Sequence, residues 1–289
     1  MQESKRININ QLEFDCLISG NEDHELVILL HGFPESSYVF RNMIEDLASQ
    51  GYYCIAPNMR GYSSNARPKR KRNYEIKYLV SDVLELAKSV NKERFHLIGH
   101  DWGSAIGWQV VHDYPELIIS WTGISVPHPQ SFFEAILNDP DQKKKSKYIR
   151  LFQLPFLPEL KIKSKNFKLL RDLWNEQSDD EIENYISILK EPGALTAMLN
   201  YYRAGYKVIK RARTEKIMGD INTPTLFIWG NRDVAVGRIA VDGSHKFIKG
   251  DYTFLALNGG HWLIQTHYTE VKKALFEHLN KFSDVHTVR

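Results

Sequence analysis

The chain has 289 residues, 43% of them apolar and 25% charged, with a formal charge of +3 at pH 7. This composition is that of an ordinary soluble globular protein and excludes disordered and fibrous classes. So small a positive excess gives no reason to expect nucleic acid or an anionic membrane as partner.

Eight short apolar runs set the expected framework. The first two, "RINI" and "LEFDCLIS", are separated only by Asn10 and Gln11 and read as an antiparallel hairpin at a sheet edge. Next come "ELVILL" (25–30), "YYCIAP" (52–57), "FHLIG" (95–99) and "LIISWTGIS" (117–125), then, much later, "TLFIWG" (225–230) and "YTFLAL" (252–257). Runs that are apolar on both faces suit strands buried inside a parallel sheet. Helical stripes lie between them, such as Leu79, Val83, Leu86 and Val90, or Val271, Ala274, Leu275, His278 and Leu279. Alternating strands and helices predict an α/β fold with helices on both faces of a mostly parallel eight-stranded sheet.

The alternation fails in the middle of the chain, where helical patterns are broken by "LPFLPE" and "EPGAL". Residues 128–214 are therefore expected to form an inserted helical cap between two parts of the core, 1–127 and 215–289. Such an insertion would sit over the carboxyl ends of the strands, where open α/β sheets bind ligands. The basic clusters Lys69–Arg72 and Lys143–Lys145 read as solvated loops. The opening "MQESKRININQ" has no apolar core behind its basic residues, and no segment reaches the roughly 18 apolar residues of a membrane span. The two cysteines, Cys16 and Cys54, each lie within a strand-like run and suggest neither a disulfide framework nor a metal site. A reduced, cytoplasmic protein without metal, organic cofactor, nucleic-acid partner or membrane insertion is the expectation, as monomer or homodimer.

The chemistry lies at strand ends. In "IGHDWGSAIGW", Gly99-His100-Asp101-Trp102-Gly103 has the form of G-x-S-x-G, the sharp strand-to-helix turn that exposes a nucleophile, with aspartate in place of serine. Asp101 alone could be an N-cap, since aspartate is a common helix cap. Asp233 follows "TLFIWG" and His261 follows "YTFLAL", which completes the chain order nucleophile, acid, histidine of a catalytic triad. The loop "HGFPESS" after the third apolar run is placed to supply an oxyanion-hole N–H from Phe33, the second coming from Trp102. Pro34 has no N–H to offer, and His31 is read as a brace for the loop.

A carboxylate attacks without first losing a proton, which frees His261 for a second step. Attack on an acyl carbon would yield only an anhydride, so the useful electrophile is a saturated carbon in an epoxide or bearing a halide. An epoxide releases an alkoxide that needs a proton donor, a task suited to tyrosine with its ordinary pKa of about 10.

The motifs "HGFPES", "GHDWGS", "WGNRD" and "GGHW" resemble those of the epoxide hydrolases of the α/β-hydrolase fold, and the resemblance covers nearly the whole chain. It implies that "YIRLFQLP" and "LTAMLNYYRA" carry the ring-opening tyrosines, Tyr148 and Tyr202, with Tyr201 where the family usually has Trp. Other tyrosines such as Tyr74, Tyr114 and Tyr185 are read as packing. Trp102, Phe152 and Leu154 are candidate pocket residues for an apolar substrate. The alternatives are a dehalogenase using the same aspartate and a non-catalytic binding protein on the same fold. Haloalkane dehalogenases typically carry Asn where Phe33 stands, and fluoroacetate dehalogenases follow the nucleophile with Arg, where this chain has Trp102.

Overall fold

The computed structural model describes residues 2–283; Met1 and residues 284–289, which fall within the outer limits of the two expected core segments, lie outside them. Eight strands form one sheet: β1 (Glu3–Ile9), β2 (Leu12–Ser19), β3 (Glu25–Leu30), β4 (Tyr52–Pro57), β5 (Phe95–His100), β6 (Ile118–Ile124), β7 (Thr225–Gly230) and β8 (Tyr252–Leu257). Their spatial order is β1-β2-β4-β3-β5-β6-β7-β8, and only β2 runs against its neighbours.

The hairpin of β1 and β2 turns at Asn10 and Gln11, both with positive φ, as a tight two-residue turn between twisted strands requires. β3, β4, β5 and β7 are almost wholly buried, in keeping with their uninterrupted apolar runs. β8 departs from that expectation: it closes the sheet, pairs only with β7, and leaves part of its length exposed. An apolar run does not distinguish a central strand from an edge strand, because the missing neighbour is a matter of sheet order.

The helices of the core are α1 (Arg41–Ser49), α2 (Ile76–Ser89) and α3 (Trp102–Asp113) before β6, and short α10 (Arg238–Gly243) and α11 (Leu263–Thr266) and the longer α12 (Tyr268–Phe282) after β7. In α2 the buried stripe is Leu79, Val80, Val83, Leu86 and Ala87; in α12 it is Val271, Leu275, His278 and Leu279.

Between β6 and β7 lie six helices: α4 (Pro129–Asn138), α5 (Pro140–Lys145), α6 (Lys147–Leu151), α7 (Leu157–Leu173), α8 (Asp179–Lys190) and α9 (Ala194–Arg211). α7 is broken internally from Ser164 to Phe167, while α8 opens with a capping box formed by Ser178 and Glu181. Charged side chains fasten this helical segment to the core. Arg41 meets Glu181 at 2.8 Å and Arg67 meets Glu191 at 2.8 Å. Buried Tyr201 donates its hydroxyl to the Arg60 carbonyl at 2.7 Å, and Arg60 in turn forks onto Asp82. No helix among the described residues is long and apolar enough to cross a membrane, and Cys16 and Cys54 are free and buried.

Candidate active site

The strand register brings the first two parts together. β3 pairs with β5 so that Leu30 lies beside Gly99, which places the residues just past each strand, Gly32-Phe33 and Asp101, side by side although 68 positions apart. A Cβ on Gly32 would fall on the Asp101 side chain, and one on Gly103 would strike the Leu30 carbonyl. The turn is therefore open only to residues without a side chain at these two points.

Asp101 stands at the N-cap position of α3, yet its side chain makes no capping hydrogen bond. Its backbone is held at φ 51°, ψ −115°, a conformation that L-residues avoid. The carboxylate is turned elsewhere: Oδ1 accepts the Phe33 N–H at 2.7 Å, and Oδ2 faces His261 Nε2 at 3.4 Å. Strain is tolerated where the surroundings over-determine the geometry, and here it aims the side chain away from its helix and across the sheet end. The second N–H expected to serve an oxyanion, that of Trp102, makes no hydrogen bond to the Asp101 side chain.

His261 is held from two sides. Its Nδ1 lies 2.7 Å from Asp233 Oδ2, while Asp233 Oδ1 accepts the N–H groups of Ala235 and Val236 at 2.7 and 2.9 Å. The His261 carbonyl accepts Ser125 Oγ at 2.7 Å and His100 Nε2 at 2.9 Å. His100 itself rests by Nδ1 on buried Glu35, 3.0 Å away, whose other oxygen takes a hydrogen bond from Gln265. Glu35 and His100 sit within "HGFPES" and "GHDWGS" without having been given a role. Their adjacency to Phe33 and Asp101 was the available signal, but nothing in the chain order ties them to the back of His261.

Burial opposes the charged forms of both Asp101 and His261, but each outweighs it for the other. Hydrogen bonding and charge from His261, with help from His100 and the Phe33 N–H, hold the Asp101 carboxyl below its ordinary range. Burial likewise works against the His261 cation, yet the Asp233 and Asp101 carboxylates raise it well above an ordinary histidine. Each group thus favours the charged form of the other. His31, by contrast, is pushed down to about 4 by burial; its neutral ring lies against the Gly32 carbonyl and accepts the Met59 N–H, a structural brace.

A cavity of about 230 Å³ opens over Asp101. Trp102, Tyr148 and Tyr202 line it with Asp101, and its further wall is mainly apolar, including Val126, Phe132, Ile149 and Ile209. The rings of Tyr148 and Tyr202 meet edge to face, their centroids 5.8 Å apart. Burial first, and the Asp101 carboxylate next, push both phenols well above the ordinary tyrosine value, so both stay protonated at any working pH.

Two expected pocket residues are placed differently. Phe152 is buried behind the tyrosines, its ring edge to face with Phe33, Tyr148 and Tyr202, and does not line the cavity. Leu154 is 44% exposed and lies outside it, because the chain turns outward at the end of α6 and carries Leu154 past the site.

Gln142 and Lys145 connect the helical segment to the loop that carries Asp233. Asp139 caps α5 by accepting the N–H groups of Asp141 and Gln142, with Pro140 at the first helical position. That start sets Gln142 and Lys145, three apart, on one face. Fully buried Gln142 donates to the Ala235 carbonyl and accepts the Gly237 N–H, each at 2.8 Å, and Lys145 Nζ reaches the Asp233 carbonyl at 2.5 Å. Of the lysine cluster expected to be a solvated loop, Lys143 and Lys144 are exposed, but Lys145 is tied to the Asp233 loop. Gln142→Leu should leave both backbone groups buried and unpaired, at roughly 1–3 kcal/mol each. The expected loss of about 2–6 kcal/mol in urea unfolding tests this, and an unchanged midpoint would contradict it.

A family model described as the alpha/beta hydrolase fold matches residues 25–268. Human epoxide hydrolase 4 is 31% identical over 288 residues, covering 96% of this chain and 78% of that protein. The AB hydrolase superfamily protein YfhM of Bacillus subtilis is 32% identical, covering 94% and 96%. Among solved structures, a variant of an epoxide hydrolase from Bacillus megaterium, complexed with its naphthyloxy-propane-1,2-diol product, superposes with a TM-score of 0.88 at 26% identity. That match covers 96% of this chain and all of the other.

Proposed function

The chain belongs to the α/β-hydrolase fold family, in its epoxide hydrolase group, and we propose that it adds water to an apolar epoxide to give a vicinal diol through an ester on Asp101. The observation that carries this is the division of labour at one carboxylate: Oδ1 on the Phe33 N–H, Oδ2 toward His261, and two neutral phenols on the same cavity. Residues 128–214 act as the cap that supplies those phenols, and 1–127 with 215–289 as the core that supplies the triad.

Oδ2 attacks an epoxide carbon, the carbon–oxygen bond of the ring breaks, and a phenolic proton from Tyr148 or Tyr202 passes to the leaving oxygen. Oδ1 becomes the ester carbonyl oxygen without leaving its donor. Formation of the ester removes the Asp101 charge that helped keep His261 protonated, so its proton affinity falls; the imidazolium gives up its proton, which through solvent restores the phenol that ring opening left as phenolate, and His261 turns into a base. Steadied by Asp233, it takes a proton from water, which attacks the Asp101 carboxyl carbon. The oxyanion on Oδ1 is met by the Phe33 N–H, with the Trp102 N–H as the second donor. Collapse breaks the ester carbon–oxygen bond, the leaving alkoxide takes the proton from His261 to complete the diol, and the Asp101 carboxyl passes its remaining proton to His261, which restores the carboxylate.

General acid catalysis is typically worth about 10²–10⁴-fold. Tyr148→Phe and Tyr202→Phe should each slow ring opening by about tenfold or more, since one donor remains, and the double change by about 10²–10⁴-fold. Single-turnover ester formation is the readout, and a double variant as fast as the parent would sink the assignment. The activity itself is tested with one panel of apolar epoxides and haloalkanes scored for diol and for halide. Diol without halide is expected; halide without diol would assign the chain to dehalogenation, and tight binding without product would make it a binding protein.

A further inference from the structure

We propose that the outer face of the helical segment around Phe156 docks peripherally on an anionic lipid bilayer. Four large apolar side chains project into solvent within seven residues: Leu154 at 44% exposure, Phe156 at 77%, Leu157 at 50% and Leu160 at 68%. Leu157 and Leu160 lie three apart on α7 and so share a face. Phe156 has φ 61°, a left-handed conformation that a bulky residue rarely adopts, and in that conformation most of the residue is exposed. Single exposed leucines need no explanation, but a cluster of this kind marks an interaction site.

Charge selects the partner. Lys161, Lys163 and Lys165 follow directly and are exposed, and among the described residues no carboxylate lies within ion-pairing distance of any of them. The acidic groups of the same stretch are already engaged, Glu159 with Arg203 and Asp172 with Lys168. Apolar anchors beside unpaired ammonium groups suit a surface whose headgroups are anionic and whose interior is hydrocarbon. A second copy of this chain is a poorer occupant, because a two-fold contact apposes the same patch on both partners and would bring the lysines together. The whole-chain charge of +3 concealed this, since it averages a local concentration over 289 residues. The patch adjoins the site: the Leu154 carbonyl accepts Arg203, and Gln153 is bonded to the Tyr202 carbonyl.

Docking is independent of the reaction assigned above, and the measurement reads binding alone. The full chain is sedimented with vesicles of phosphatidylcholine, or of equal parts phosphatidylcholine and phosphatidylglycerol, at low and high salt. Binding to the mixed vesicles that weakens with salt is expected, with little binding to phosphatidylcholine alone. Phe156→Ser combined with Leu157→Ser, and separately Lys161→Gln, Lys163→Gln and Lys165→Gln together, should each reduce partitioning by about tenfold or more. Two variant sets guard against loss of the fold in either one, checked by thermal unfolding. No binding to mixed vesicles, or binding that neither set weakens, would overturn the proposal. So would a concentration-dependent dimer abolished by the Phe156 and Leu157 changes in a protein that ignores vesicles.

Discussion

His261→Gln should open an epoxide once and then stop, leaving a stable ester on Asp101. In the proposed mechanism ring opening draws on the Asp101 carboxylate and the phenols of Tyr148 and Tyr202, none of which the substitution removes. Glutamine can still donate to Asp233 but has no basic nitrogen to take a proton from water. Loss of a general base costs about 10²–10⁴-fold, so steady-state turnover should fall by about 10³-fold or more while the adduct approaches one per protein. Mass spectrometry of the peptide containing Asp101 reads this directly; an adduct on another peptide, or none, would refute the two-step scheme.

The same histidine predicts a pH dependence in the unaltered protein. In the free site Asp233 and Asp101 together raise His261 against the effect of burial. Once Asp101 is esterified only Asp233 remains, and burial gains ground. Below the resulting pKa the ring stays protonated and cannot activate water. The fraction of protein trapped as ester by acid quench at steady state should therefore rise as pH falls, and a flat or opposite trend would count against His261 as the base.

Asp101→Ala should abolish turnover, with a loss of about 10⁴-fold or more, since in the proposed mechanism removal of the covalent nucleophile leaves only binding and the oxyanion donors. No neighbour can substitute. Asp233 is turned away onto the Ala235 and Val236 N–H groups and His261 Nδ1, and Glu35 is buried against His100 and Gln265. Isotope transfer gives an independent check on the parent protein. If water attacks the carboxyl carbon, a single turnover in oxygen-18 water places the label in Asp101 and not in the diol. Label in the diol would mean direct attack of water on the epoxide, and near-normal diol formation by Asp101→Ala would mean the same.

Sequence reading went furthest where local rules govern. Asn10 and Gln11 between two strand patterns specify a hairpin, and the stripe of Leu79, Val83 and Leu86 specifies which side of a helix is buried, because both follow from chain geometry over a few residues. It went least far with Gln142, Lys145, Glu35 and His100, whose partners lie 65 or more positions away. Leu154 shows the same limit from the other side: apolar character suggested a pocket, but the direction of the chain after α6 turned it to solvent.

By itself, then, the sequence determined the alternation of strands and helices, the strand-free insertion, and the succession of Asp101, Asp233 and His261 past three strand ends. Apolar periodicity and glycine placement are local properties and survive in one dimension. Tertiary structure alone decided that Asp101 is not serving as a cap, since that depends on its φ of 51° and on Phe33 and His261 claiming its two oxygens. It also decided which phenols share its cavity. Those facts are distances between segments far apart in the chain, fixed by sheet register and helix packing, and a pattern along the chain does not contain them.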